Sequence, residues 1–201
     1  MKWHELNKTK STESKAEYTA RVKYQSIVTK SANSFMDIVG NDLTEGIQYR
    51  IVTNNSFNAI SVYEYLSKQE EITELHIAIY RMNERAVTYL KTIIDTNKIK
   101  AQIIISSFFR ENKKYETWCK NLVAYSSKSE LCKVGFSWNH AKVFLAKTES
   151  GKYIVFEGSG NLSDNARIEQ YIIENNKQVY LFHKKWITDL INLPTNEKSN
   201  I

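Results

Sequence analysis

Apolar and polar residues alternate in two rhythms through the first two thirds of the chain. Three short segments rich in apolar and β-branched residues predict strands: IQYRIVTN (47–54), ELHIAIYRM (74–82) and KAQIIISS (100–107). Three further segments place their apolar residues at helical intervals: SFNAISVYEYLSKQE (56–70), NERAVTYLKTIIDTN (83–97) and KKYETWCKNLVAYSS (113–127). Strand and helix therefore alternate, which indicates parallel strands with helices packed on them.

The last third of the chain brings its predicted strands close together. These strands are KVGFSW (133–138), HAKVFLA (140–146), KYIVFEG (152–158), RIEQYII (167–173) and QVYLF (178–182). A closing helix is predicted over HKKWITDLINL (183–193). We therefore predict an α/β fold in which a mixed, mainly parallel central sheet is flanked by helices.

Charge separates the beginning of the chain from the rest. Lysine and arginine outnumber acidic residues before residue 31, and the apolar spacing there is loose. We interpret residues 1–45 as a basic N-terminal arm, with a solvated surface segment as its simplest structure, and residues 46–201 as the folded domain. The whole chain has a formal net charge of +6, which favours nucleic acid, an anionic membrane surface or phosphorylated small molecules as partners.

The two cysteines and the N-terminus bear on the compartment. Cys119 and Cys132 match no paired metal-ligand spacing and are too few for a disulfide framework. The first residues, MKWHELNKTKSTESK, contain no apolar leader core, and no apolar run reaches the length of a membrane span. We expect a cytoplasmic protein of a bacterium, or a viral protein that acts in the host cytoplasm.

Candidate chemistry lies in NHAKVFLAKTESGKYIVFEGSGN (139–161). If HAKVFLA is a strand, His140 and Lys142 share one face and lie roughly 6.5–7 Å apart at the backbone. That spacing suits two groups that bracket one phosphate, with an imidazole at phosphorus and an ammonium at a nonbridging oxygen. The glycines of GSGN allow a tight turn and a close approach to an anion, while Ser159 and Asn161 add hydrogen-bond donors.

These residues resemble the signature of the phospholipase D superfamily. The motif HxK is His140-Ala-Lys142, GSxN is Gly158-Ser159-Gly160-Asn161, and Glu169 is the downstream acidic residue. The similarity covers about residues 134–185 and implies a phospholipase D-like fold. The full motif of that superfamily is HxKx4D, and Lys147 stands at the Asp position. Since that Asp is thought to act structurally, the departure puts local packing in doubt more than catalysis.

The resemblance implies a role for each residue. His140 attacks phosphorus to form a phosphohistidine, and a second, protonated histidine releases the leaving oxygen. Lys142 and Asn161 stabilise the equatorial oxygens with help from Ser159, while Glu169 orients His140. No divalent metal or other cofactor is needed, and no cluster at metal-ligand spacing occurs.

The sequence contains one HxK that is followed by GSxN, whereas this mechanism needs two. His4, His76 and His183 lie in no comparable setting. We therefore predict a two-fold homodimer that brings two copies of His140 and Lys142 face to face.

The substrate remains open at this point. Superfamily members with a single motif and this size are mostly nucleases, so the resemblance implies an endonuclease that acts on DNA or RNA. Arg81, Arg110 and Lys147 are candidate phosphate contacts, and Arg81 and Arg110 each follow a predicted central strand. The alternatives are a lipid phosphodiesterase and a nucleic-acid-binding or regulatory module that retains the site without turnover.

Overall fold

A computed structural model describes residues 25–27, 43–54, 60–111, 116–163 and 168–193 of the 201-residue chain. Most of the expected N-terminal arm therefore lies outside the described residues, as do the first four residues of the predicted helix 56–70. Three residues of the arm, Gln25–Ile27, form a strand that pairs with the sheet.

From residue 47 onward, strands and helices follow the predicted order up to the last segment, apart from a short helix at Phe108–Glu111 that was not predicted. The strands are β1 (Gln25–Ile27), β2 (Ile47–Asn54), β3 (Ile72–Ile79), β4 (Lys100–Ser106), β5 (Cys132–Ser137), β6 (Lys142–Thr148), β7 (Tyr153–Gly158) and β8 (Ile168–Asn175). The helices are α1 (Ile60–Gln69), α2 (Glu84–Asn97), α3 (Phe108–Glu111), α4 (Thr117–Ser126) and α5 (Lys177–Asn192). Asn83 caps α2 by accepting a hydrogen bond from the Ala86 amide, as its side chain predicts.

The described strands form one sheet in the order β1-β2-β8-β7-β6-β3-β4-β5. The pairs β1–β2, β3–β4 and β4–β5 are parallel. The pairs β2–β8, β3–β6, β6–β7 and β7–β8 are antiparallel. The predicted α/β class and mixed sheet flanked by helices are confirmed, but parallel pairs are not the majority. The neighbours β6 and β7 are joined by only four residues, 149–152, and so short a connection reverses the chain direction.

Each face of the sheet is covered by helices. Apolar residues of α1, α2 and α4 pack on one face in a main core that includes Phe144 and Ala146. On the opposite face, Val143 and Leu145 pack with Tyr180, Ile187 and Ile191 of α5. The alternation predicted along HAKVFLA is therefore present in β6. Among the described residues, no helix is both long and apolar enough to cross a lipid bilayer.

The predicted strand QVYLF (178–182) is wrong, because these residues form the first turns of α5. Their β-branched and aromatic composition resembles a strand. Asn176 decides the outcome, since its side chain accepts hydrogen bonds from the amides of Gln178 and Val179 and so caps a helix.

A partly buried polar cluster attaches α5 to the sheet. The Glu74 carboxylate of β3 accepts from Lys184 of α5, forms an ion pair with Lys147 at 3.5 Å and contacts His76 Nε2 at 3.4 Å. Thr188 of α5 donates to Gln102 at 2.7 Å. Burial by itself would raise the pKa of Glu74, but the hydrogen bonds from Lys184 and His76 and the charge of Lys147 lower it to about 2.

We predict that Glu74→Gln lowers the free energy of unfolding by about 1 kcal/mol at pH 7, because solvent screens this partly buried group. A depressed folded-state pKa stabilises the protein above pH 4.5, and this stabilisation is lost as the pH falls toward 2. The difference between wild type and variant should therefore shrink over that range. Urea unfolding at pH 7, 4.5 and 3 measures it.

Asp189→Asn is the matched control for Glu74→Gln, because Asp189 pairs with Lys185 on the exposed side of α5. Its effect should stay within about 0.5 kcal/mol at every pH. If the free energies of unfolding of wild type and Glu74→Gln differed by the same amount at every pH, the lowered pKa of Glu74 would be contradicted.

Candidate active site

One edge of the sheet collects the strand ends that carry the predicted site residues. The strands β3, β4, β5 and β7 end at this edge, while β6 and β8 begin there, as their pairings require. The residues placed there are Arg81 after β3, His140 and Lys142 at the start of β6, Ser159 and Asn161 after β7, and Glu169 at the start of β8.

His140 and Lys142 contact each other directly. Lys142 Nζ donates to His140 Nδ1 at 2.8 Å and to the His140 carbonyl oxygen at 2.8 Å. Lys142 is only 7% exposed, whereas His140 is exposed. The predicted strand began at His140, but β6 begins at Lys142, because its partner strand β3 ends at Ile79, opposite Lys142. His140 therefore lies on a short connection just outside the sheet.

Lys142 is buried beside two groups that favour its positive charge. Burial lowers the pKa of Lys142, and the negative charge of Glu169 opposes that shift. The face of Tyr80 lies below the ammonium, with 5.7 Å between Nζ and the ring centroid. Lys142 is thus a largely buried amine at the sheet edge where the predicted site residues lie.

Tyr80 is a site residue that the sequence interpretation missed. Its ring centroid lies 4.6 Å from that of His140, and the two ring planes are 44° apart. The signal was present, because Tyr80 directly follows the last residue of β3 and precedes Arg81, which had been selected for that position. Tyr80 thus holds one side of the His140 imidazole.

Glu169 and Ser159 are joined across the start of β8. Ser159 Oγ donates to Glu169 Oε2, and the Gln170 amide donates to Ser159 Oγ at 3.0 Å. The Ser159 amide also donates to the Gln170 carbonyl at 3.0 Å. Contacts therefore connect His140 to Lys142 and Ser159 to Glu169, while the charge of Glu169 acts on Lys142.

Asn161 is fixed from the neighbouring strand. The Arg81 amide donates to Asn161 Oδ1 at 3.2 Å, and the Asn83 amide donates to the Leu162 carbonyl at 2.9 Å. Since its oxygen accepts from the backbone, the side-chain amide of Asn161 is oriented with respect to β3. The GSGN loop is thus attached to the segment that carries Tyr80.

Gly158 is required by a close approach of the neighbouring strand. A Cβ at Gly158 would lie 2.3 Å from Tyr171 Cδ1 and 2.4 Å from the Gln170 carbonyl oxygen. The sequence predicted that the glycine permits a turn and an approach to an anion. The structure gives it a different task, which is to let β8 lie close enough for the Ser159–Gln170 contacts.

The predicted phosphate contacts differ in their positions. Arg81 lies at the edge, where its guanidinium donates to Glu116 at 3.2 Å. Arg110 is exposed on α3, beyond the end of β4, with its guanidinium carbon 5.8 Å from the Phe136 ring centroid. Lys147 is not brought to the site, because it lies near the opposite end of β6 and forms an ion pair with Glu74.

The other described histidines make contacts elsewhere. His76 is buried within β3, where Nδ1 lies 3.0 Å from Gln102 Oε1. His183 of α5 contacts Glu157 at 3.0 Å and accepts from Trp186 Nε1 at 3.0 Å. Within the described ranges, no group of three or more His, Cys, Asp or Glu side chains is placed to hold a metal ion.

The fold is similar to solved structures of the phospholipase D type. One is a phospholipase D family member, Nuc from Salmonella typhimurium, with 14% identity, a TM-score of 0.53 and coverage of 72% of this chain and 95% of that one. Another is NucT from Helicobacter pylori, with 21% identity, a TM-score of 0.51 and coverage of 72% and 96%. The chain therefore has the phospholipase D fold, and the predicted fold type is confirmed.

A third similar structure is a polyphosphate kinase from Porphyromonas gingivalis, at 13% identity and a TM-score of 0.54. The match covers 73% of this chain but only 26% of the kinase. No family model and no curated protein matches the sequence. Identities this low show the fold alone, so the chemistry must be argued from the site.

We predict that Gly158→Ala displaces the Ser159 loop and lowers stability by about 2–3 kcal/mol, because the clash involves backbone as well as a ring. Thermal unfolding measures the stability. Ser163→Ala is the control, because it alters the same connection after the motif without adding a Cβ, and it should be nearly neutral. Unchanged stability of Gly158→Ala would show that β8 does not lie as close to Gly158 as described.

Proposed function

We propose that the chain is a phosphodiesterase of the phospholipase D superfamily that cleaves DNA or RNA. The observation that carries the proposal is the 2.8 Å contact between Lys142 Nζ and His140 Nδ1. It lies at the same sheet edge as Ser159, Asn161 and Glu169, which belong to the same motif set. The fold supports the superfamily assignment, and the arrangement of these side chains supports the reaction.

In the proposed reaction a nitrogen of His140 attacks phosphorus. An N–P bond forms, a P–O bond breaks, and the leaving oxygen takes a proton from a second histidine. Water, deprotonated by that second histidine, then attacks the phosphohistidine and releases His140. A neutral imidazole suits the first step because anionic phosphate oxygens repel an anionic nucleophile.

Lys142 is proposed to move its hydrogen bonding from His140 to the substrate. An ammonium can only donate, so His140 Nδ1 accepts from it in the absence of substrate. Two of its three N–H groups are directed at His140, which leaves one for a phosphate oxygen. Attack through Nε2 requires the ring proton on Nδ1, so the hydrogen bond from Lys142 to Nδ1 must break as the substrate binds, while the one to the His140 carbonyl oxygen can remain.

At that stage, the Glu169 carboxylate is proposed to accept a hydrogen bond from Nδ1–H of His140. Its charge already acts on Lys142, and Ser159 donates to its Oε2. A carboxylate in this position fixes the tautomer and stabilises the positive charge that develops on the ring. Asn161 and Ser159 are proposed to donate to the equatorial oxygens.

Charge favours nucleic acid as the substrate. The chain has a formal net charge of +6, and the exposed Arg110 lies beyond a strand that ends at the site edge. Arg81 lies at the same edge. These cations suit the regularly spaced phosphates of a polynucleotide. A nucleic-acid-binding module without turnover would need the same surface, so a cleavage assay decides between that module and a nuclease.

A second copy of the chain is proposed to supply the second histidine. His76 is buried within β3, and His183 pairs with Glu157 on the face of the sheet that α5 covers, opposite the face of Lys142. Near the site edge, Val52 of β2 and Ile168 of β8 are both exposed and lie diagonally across the β2–β8 pair. We place the contact between copies at this apolar pair.

Cleavage of plasmid, single-stranded DNA and RNA in EDTA tests the enzymatic proposal. Wild type should cleave at least one of them, and His140→Ala should lower the rate by at least about a thousandfold, because the attacking atom is removed. A ³²P-labelled oligonucleotide should also leave label on wild-type protein in a single turnover. His183→Gln is the matched control and should retain activity.

Equal cleavage by wild type and His140→Ala would overturn the mechanism. Retention of labelled DNA without cleavage would favour the binding module. Cleavage of phosphatidylcholine but of no nucleic acid would favour the lipid alternative.

Sedimentation measurements test the dimer. The wild type should sediment as a dimer at micromolar concentration, and Ile168→Glu should shift it to monomer with a parallel loss of activity, since each site needs two histidines. Leu181→Glu on α5 is the control and should remain dimeric. A fully active wild-type monomer would contradict the two-histidine mechanism, whereas a dimeric Ile168→Glu would contradict only the position of the contact.

A further inference from the structure

Two exposed aromatic side chains lie at the site edge of the sheet. Phe108, after β4, is 40% exposed, and Trp138, after β5, is 52% exposed. The other exposed Phe or Trp among the described residues is Phe182, which lies on α5. An exposed ring lacks the burial that ordinarily stabilises so large an apolar side chain. Two exposed rings beside a candidate active site indicate a role in binding.

Both residues lie close to His140. Phe108 stacks on Tyr80 with centroids 6.1 Å apart and ring planes at 30°, and Tyr80 contacts His140 at 4.6 Å. Trp138 is two residues before His140, so their Cα atoms are at most about 7 Å apart. The chain between them crosses from β5 to β6 along the edge. A nucleotide whose phosphate lies at His140 therefore has its base within reach of these rings.

Cations lie beside the rings. Arg110 belongs to the same short helix as Phe108, and its guanidinium lies over Phe136, the residue two before Trp138. Arg81 follows Tyr80 directly. Aromatic faces combined with cations along a backbone path are the elements with which proteins bind unpaired nucleic acid strands. A membrane surface would favour a wider apolar area than two rings placed between arginines.

We propose that Phe108 and Trp138, the aromatic platform, stack unpaired bases next to the scissile phosphate, so that the substrate is single-stranded DNA or RNA. This inference rests on the proposed function, because it assumes that phosphate binds at His140. The bases of a duplex are already stacked on one another and present only their edges in the grooves. The platform therefore discriminates against double-stranded substrates.

Binding measured by fluorescence anisotropy tests the platform, with His140→Ala as the background that prevents cleavage. The probes are labelled dT12, rU12, a 12-base-pair duplex and an abasic 12-mer that has phosphates without bases. Adding Trp138→Ala should weaken binding of dT12 and rU12 about 5- to 150-fold. Binding of the duplex and of the abasic strand should change less than about twofold.

Two further variants control for folding and for ring chemistry. Trp138→Phe retains a ring and should bind dT12 within about threefold of the parent. Phe182→Ala removes an exposed ring from α5 and should have no effect on any probe. Trp138 is preferred to Phe108 for the main test, because the Phe108 ring also contacts Tyr80 and Phe109. Equal thermal unfolding midpoints exclude misfolding.

The outcomes separate the platform from the proposed function. Equal losses on dT12 and on the abasic strand, or no loss on either, would overturn the platform even if wild type cleaves nucleic acid. Cleavage of no nucleic acid by wild type would overturn the proposed function itself. Loss of binding to phosphatidylcholine vesicles in Trp138→Ala, with oligonucleotide binding unchanged, would assign the rings to a lipid surface and overturn the inference.

Discussion

The candidate site depends on one buried cation, the Lys142 ammonium at the start of β6. Burial of a charge is expensive unless polar groups replace the lost water. Here His140 supplies two acceptors, Tyr80 supplies a ring face, and Glu169 supplies a negative charge from two strands away. The contacts that offset the desolvation of Lys142 also position the His140 imidazole. A phosphate that replaced His140 as the partner of Lys142 would find the charge already desolvated and oriented.

The sheet topology explains why distant parts of the sequence meet at this lysine. Between β3 and β7, β6 runs antiparallel to both neighbours, so its first residue lies beside the last residues of those strands. Tyr80 follows β3, and Ser159 follows β7. The close approach at Gly158 then lets β8 bring Glu169 to the same edge. Strand register thus brings the members of the site together, although His140, Ser159 and Asn161 lie on connections just beyond the strand ends.

Much of the fold and of the candidate site could be predicted from the sequence, because motif spacing and strand alternation are local signals. The period-two pattern placed Lys142, Phe144 and Ala146 on one face, as in the structure. The direction of pairing was not local information, so the sheet was expected to be more parallel than it is. Tyr80 was missed because only its place beside Arg81 marked it, and a tyrosine belongs to no part of the motif. QVYLF was misassigned because a single cap, Asn176, overrode composition.

Lys147 stands where the superfamily motif has an Asp, and its charge is balanced by Glu74 outside the site. It lies five residues after Lys142, which is about 16 Å along a strand, and it belongs to the opposite face. Its partner is Glu74 on β3, which also pairs with Lys184 of α5. A carboxylate at position 147 would face Glu74 and repel it, whereas a lysine joins the cluster that holds α5. The change of charge is therefore accounted for by packing between β3, β6 and α5, at the end of β6 away from His140 and Lys142.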